Sequence, residues 1–306
     1  MTPNGDADRA RLARATVLVV ASAACFSTIA IFVTLATRAG APLLTVLTGR
    51  FFFGTLAIAP IAGLAALGST PPALRNALVF RAGVLQAALV FCSGASLRWL
   101  PAATLVFLFY TYPAWVTIIV ALQRGERIPL RRGVALVLSL VGVAIMVGAP
   151  GPLVVHPAGA ALALASALIF AIYLVYTDRL QAATTTGVTS FWIAVGAGAT
   201  FLIAALLTRQ LTFDVAASVW VYTAALGVLS TAVGYGLFFK GLRILGPVRT
   251  AIISTAEPVW AALLGWLVLT QPVTLGTAVG GACIAAAVVL LQWRPKGDVK
   301  TQPPVT

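Results

Sequence analysis

Two ionisable side chains stand where an ionisable group is costly. Glu257 lies well inside the apolar run 248–269, and Arg50 lies inside the run 43–67. A charged side chain at the centre of a bilayer costs about 2.5–3.5 kcal/mol on insertion scales, so something has to offset it. A carboxylate at 257 could carry a proton or pair with an ammonium group. It could equally stay neutral and hydrogen-bond a neighbouring helix beside Pro258, where a carbonyl loses its usual donor. A guanidinium at 50 could grip a carboxylate through two parallel N–H bonds, or it could snorkel or cap the carbonyls of a broken helix.

Around these two, hydroxyl and aromatic residues recur at helical spacing. Ser254, Glu257 and Ala261 share a face at i, i+3 and i+7, as do Phe109, Tyr112 and Val116. Ser166, Phe170 and Tyr173 share another, and Thr231, Tyr235 and Gln86 complete the set. Singly, each suits an ordinary interhelical contact. As a set they suit a cavity for an amphipathic small molecule.

Covalent chemistry has no comparable constellation. The single histidine, His156, precedes Pro157 in a polar break, and no HExxH or GxSxG occurs. Cys25, Cys92 and Cys283 each sit within an apolar run without a CxxC, so they read as small hydrophobes rather than metal ligands or disulfide partners. No phosphate-binding loop is present either. The sequence therefore implies no enzyme, no metal and no cofactor.

The elements that position these side chains follow from composition. The chain has 306 residues, of which 60% are hydrophobic and 9% charged, with a mean hydropathy of +1.02. Lipid is the implied solvent. The net charge of +13 is spread in short clusters at the ends of apolar runs, which excludes a nucleic-acid groove. Runs long enough to span predict an all-α membrane protein of ten transmembrane helices, near 15–37, 43–67, 78–97, 102–122, 133–149, 158–176, 188–207, 217–239, 248–269 and 275–292. Proline or glycine marks several turns, as at Gly246-Pro247 and Gln271-Pro272. Apart from Arg38, Arg98, Arg209 and Arg50, every Lys and Arg falls on the side of the N-terminus, so both termini are expected in the cytoplasm.

The sequence also repeats itself. Leu97-Arg98-Trp99-Leu100 recurs as Leu242-Arg243-Ile244-Leu245, and at the same offset Pro113-Ala114-Trp115 recurs as Pro258-Val259-Trp260. The expected organisation is a cytoplasmic segment 1–14, five helices over 15–149, five over 150–292 and a cytoplasmic tail 293–306. An odd number of helices per repeat makes the second an inverted copy of the first, the arrangement that underlies alternating access. Pro113 and Pro258 are the candidate hinges. Gly276 and Gly280 form a GxxxG that permits close packing or a homodimer; a monomer is favoured. The expected partners are the bilayer and a small-molecule substrate.

Gly241 to Pro247, Ala256-Glu257-Pro258, Gln271 to Thr274 and Gly125-Glu126-Arg127 resemble elements of the EamA branch of the drug/metabolite transporter superfamily, over nearly the whole chain. Gln271 departs from that pattern, where an acidic residue is usual, and Tyr112 stands where the second half has Glu257. The resemblance implies a ten-helix secondary transporter of the bacterial inner membrane that exports metabolites, with the aromatic amino-acid exporters closest in character. Drugs or quaternary ammonium compounds are the alternative cargo, and a channel the alternative class. Because the resembling family carries Glu-Pro here with varied substrates, the supporting role for Glu257 is preferred at this level, as is a non-substrate role for Arg50.

Overall fold

The computed structural model describes residues 3–100, 102–147, 156–269 and 274–292, and these residues contain helices and no strand. In chain order the helices are α1 (Pro3–Arg38), α2 (Leu43–Ala62), α3 (Pro72–Ser96), α4 (Ala102–Phe109), α5 (Tyr112–Arg124), α6 (Leu130–Val147), α7 (Pro157–Gln181), α8 (Thr186–Leu207), α9 (Ala217–Ser254), α10 (Glu257–Leu269) and α11 (Leu275–Gln292). A single turn, Leu64–Gly68, follows α2. The turn expected at Gln271-Pro272 and the charged tail lie outside the described residues.

Among the described residues the chain forms these eleven helices rather than ten unbroken ones. Seven stretches of the described residues are long and apolar enough to cross a membrane. The expected helix 102–122 divides at Tyr110-Thr111, and the expected helix 248–269 divides at Thr255-Ala256. Proline explains both breaks. Pro113 and Pro258 lack an N–H, and each ring clashes with the carbonyl four residues earlier, which belongs to Phe109 and Ser254. The helix ends at those two residues and restarts at Tyr112 and Glu257. Even the bonds bridging the breaks match. Thr111 N–H donates to Leu108 O as Ala256 N–H does to Ile253 O, and Trp115 N–H donates to Thr111 O as Trp260 N–H does to Ala256 O. The shared faces expected for Phe109, Tyr112 and Val116 and for Ser254, Glu257 and Ala261 are therefore not faces of continuous helices.

Other boundaries shift for similar reasons. α2 stops at Ala62 rather than 67, because Pro60 weakens its last turn and Gly63 takes φ 82°. The break expected at Gly246-Pro247 is present inside α9, where two helical segments join across non-helical backbone with Gly246 at φ 74° and ψ 169°. α1 starts at Pro3 rather than 15, since nothing between Gly5 and Arg38 interrupts it.

The halves interlock by exchanging neighbours. α1 packs on α9 as α7 packs on α3, α2 meets α9 as α8 meets α3, and α1 meets α10 as α7 meets α5. α2 lies on α8, and α6 lies on α11. Small residues allow the closest crossings. A Cβ on Gly196 of α8 would run into the Val79 carbonyl, and one on Gly83 would lie 2.7 Å from the Gly196 Cα. At the equivalent crossing, a Cβ on Gly227 would lie 2.6 Å from the Arg50 carbonyl oxygen. Both crossings fall on π-helical turns, Ala77–Gly83 and Gly227–Val233. Without an interhelical hydrophobic effect in lipid, close backbone contact of this kind is a principal source of helix association.

Candidate functional site

The two broken helices meet in the interior. Tyr112, the first residue after the first break, is buried and its hydroxyl donates to the Ala251 carbonyl at 3.2 Å, one turn before the second break. Tyr110, inside the first break, points its hydroxyl at the Glu257 carboxylate just after the second. The first break and the turn after it thus face the helical turns on either side of the second.

An aromatic wall adjoins this junction. Phe170 on α7 stands edge-on to Tyr112 at 4.7 Å between ring centroids, lies 5.7 Å from Phe109, and stacks on Tyr173 at 5.9 Å. Phe109 and Tyr112 are 5.4 Å apart. Across the site, Phe26 of α1 meets Tyr235 at 6.1 Å, and Tyr235 meets Phe239 at 5.5 Å. Such edge-to-face and offset pairs contribute about 0.5–1.5 kcal/mol each beyond the area they bury.

Arg50 enters from α2, at the glycine crossing with α9. It is 4% exposed, and its Nε donates to Thr231 Oγ1 at 3.1 Å. Its electrostatic neighbours are Tyr235, Glu257 and Tyr173. Arg50 and Glu257 are therefore coupled charges in one interior region, yet no direct ion pair joins them. Glu257 keeps partial exposure, as do Phe109 and Phe170. The hydroxyl of Tyr235 is buried and has no hydrogen-bond partner among the described residues. Orphaned groups of this kind call for water or a ligand.

Of the residues singled out on sequence, Arg50, Phe109, Tyr112, Phe170, Tyr173, Thr231, Tyr235, Ser254 and Glu257 fall in this region. Ser166 is fully buried and bonds back to the Ala163 carbonyl at 2.7 Å, which satisfies it within its own helix. Gln86 is buried on α3, and among the described residues no hydrogen bond ties it to the aromatic wall or to Arg50. Pro113 and Pro258 set the breaks. Spacing alone singles out neither Tyr110 nor Phe26: Tyr110 lies off the helical face of Phe109 and Tyr112, and only the broken helix turns it toward Glu257.

A separate groove of about 360 Å³ runs between α2 and α8, with Phe51, Phe52, Leu56, Phe191 and Leu202 in its walls. Phe52 is 63% exposed there, and no titratable group lines the groove. No group of three or more His, Cys, Asp and Glu among the described residues could hold a metal ion.

Comparison with known proteins agrees with a membrane transporter. An archaeal protein from Archaeoglobus fulgidus named "Uncharacterized transporter" is 30% identical over 276 residues, 90% of this chain and 95% of its own length. An "Uncharacterized inner membrane transporter YicL" from Salmonella typhimurium is 29% identical over 192 residues, covering 62% of this chain and 64% of its own length. A solved structure titled "Crystal structure of protein" superposes with a TM-score of 0.75 at 22% identity, over 90% of this chain and 96% of its own, and so shares the fold. The profile of the EamA-like transporter family matches twice, over residues 13–148 and 157–293, once for each half that supplies a broken helix to the site. A multi-pass helical chain matched in both halves over nearly its whole length belongs to the EamA-like transporter family.

Proposed function

We propose that this protein is a secondary transporter working by alternating access, and that it exports amino acids or related small metabolites across the bacterial cytoplasmic membrane. The observation that carries the reading is the interior site itself. It combines one cation, one carboxylate, an orphaned tyrosine hydroxyl and an aromatic wall, and it takes its side chains from both halves. A polar site in a membrane interior is expensive unless it is used. Ten spans arranged as two inverted repeats, 15–149 and 150–292, would let the halves exchange roles around a fixed site. Contacts that recur between equivalent helices support that arrangement.

Counterflow in proteoliposomes tests the function, with a panel of amino acids, quaternary ammonium compounds and nucleotide sugars. Saturable, counterflow-competent uptake of an amino acid is expected. Steady conductance without counterflow would make the protein a channel, and uptake confined to quaternary ammonium compounds would make it a drug exporter. The aromatic wall gives that last reading its only support, through cation–π attraction.

The topology has its own test. The Lys and Arg asymmetry supports a topology with both termini and the loop 124–132 in the cytoplasm and the exposed Asp214 outside. A lone cysteine at position 214 is expected to react with a membrane-impermeant maleimide in intact cells. Labelling only after lysis would invert the orientation.

A further inference from the structure

We propose that Arg50 and Glu257 are the two ends of a clamp for a zwitterion. Arg50 takes the carboxylate of an α-amino acid, Glu257 takes its ammonium group, and the side chain lies against Tyr112, Phe170 and Tyr173. The inference rests on the transport reading above and names the substrate class of that site.

Three observations carry it. The first is the partnering of Arg50. Its Nε is spent on Thr231, which fixes the guanidinium plane, while its remaining N–H groups have no hydrogen-bond partner among the described residues. That leaves the donors that engage a carboxylate in parallel. The second is the partnering of Glu257. The Tyr110 hydroxyl takes one acceptor position and orients the carboxylate, which leaves acceptor capacity for an ammonium. The third is the separation of the two charges. They sense one another without touching, so each remains incompletely compensated.

Charge then selects the ligand. A simple cation gains from Glu257 but is repelled by Arg50, and a simple anion meets the reverse. Only a ligand carrying both charges gains at both ends, and in a low-dielectric interior that difference is large. The orphaned Tyr235 hydroxyl, a neighbour of Arg50, supplies a further donor for the carboxylate. A purely supporting role for Glu257 beside Pro258 would account for its bond to Tyr110 but for neither the free edge of Arg50 nor the orphaned hydroxyl.

The test uses the purified full-length chain and three probes of the same shape: L-phenylalanine, phenethylamine without the carboxylate, and 3-phenylpropionate without the amine. Equilibrium binding is measured for each. The wild type is expected to bind phenylalanine about 10- to 100-fold more tightly than either analogue, the loss of one charge-assisted hydrogen-bonding group. Glu257→Gln should weaken phenylalanine and phenethylamine by a similar factor and leave 3-phenylpropionate unchanged or improved. Arg50→Gln should do the opposite. Glu257→Asp and Arg50→Lys should keep the wild-type rank order.

An equal loss for all three probes in either glutamine variant would overturn the clamp, since a structural role has no reason to discriminate. So would a wild type that prefers either analogue, a result readable even if the glutamine variants fail to fold. Failure of the underlying transport reading looks different. Wild-type counterflow of a solute that is not an amino acid, with no binding of phenylalanine or counterflow of any amino acid in the panel, overturns the clamp and leaves transport standing. Clamp-like binding with no counterflow by any solute would overturn transport and leave the clamp standing.

Discussion

Alanine at Gly196 is expected to lower the thermal stability of the purified protein, whereas alanine at Gly94 should leave it unchanged or raise it. Both glycines are helical, and in an exposed helix interior the replacement gains up to about 1 kcal/mol from backbone entropy alone. The surroundings decide the sign. A Cβ at Gly94 meets nothing within 4 Å, while one at Gly196 is driven into the backbone of Val79 at the α3–α8 crossing. Backbone cannot swing aside as a side chain can, so the helices must separate. Overpacking of this kind costs about 1–3 kcal/mol or more, and separation also loosens the contacts around it. With valine at 196, little folded protein should survive extraction. At the equivalent crossing, alanine at Gly227 presses on the Arg50 carbonyl oxygen at 2.6 Å, so ligand binding should fall along with stability. The fraction of protein that stays monodisperse on size exclusion after a heating series reads all of these. Equal behaviour of the 196 and 94 alanine variants would mean that the crossing is not the close contact described.

How far such features can be foreseen from sequence depends on their range. Spans, prolines and the internal repeat are local, and each left a legible mark. The matching breaks at Tyr110-Thr111 and Thr255-Ala256 follow from Pro113 and Pro258 once the four-residue reach of proline is applied. The crossings were not legible, because lipid removes the usual cue. In water a buried helix face is apolar and the other polar, but here Leu207 is 80% exposed and Ser230 and Thr250 are fully buried. Hydrophobic periodicity therefore says little about which face meets which helix. The bond from Arg50 to Thr231 joins residues 181 positions apart and depends on a glycine crossing that no spacing announces. Tyr110 escaped notice for a different reason. Helical spacing defines faces only on a continuous helix, and this tyrosine faces Glu257 only because its helix is broken.

Replacing Pro113 or Pro258 with alanine is expected to slow counterflow by about tenfold or more while leaving the protein as stable as wild type, or more so. In a helix continuous through the break, proline would cost about 3 kcal/mol through the lost hydrogen bond and the ring clash, and the break avoids this by leaving each proline in the first turn of the next helix. Alanine removes both penalties and supplies an N–H for the freed carbonyl of Phe109 or Ser254, so the helix can run on through the break. Each residue of helix turns the chain by about 100°, and closing the break therefore re-aims the side chains that the break now presents. In the first half these are Tyr110 and Tyr112, and in the second Glu257. A gain in helix and a loss of flux would thus come from one change. Non-helical backbone at membrane depth is tolerated only where it is buried in protein or lines a cavity. The double variant separates two cases. If each break serves its own half of the cycle, both single variants should be slow and the double variant little slower than the worse of them. Wild-type flux in both single variants, with folding intact, would remove the breaks from the transport cycle and leave them as packing features of the junction between the halves.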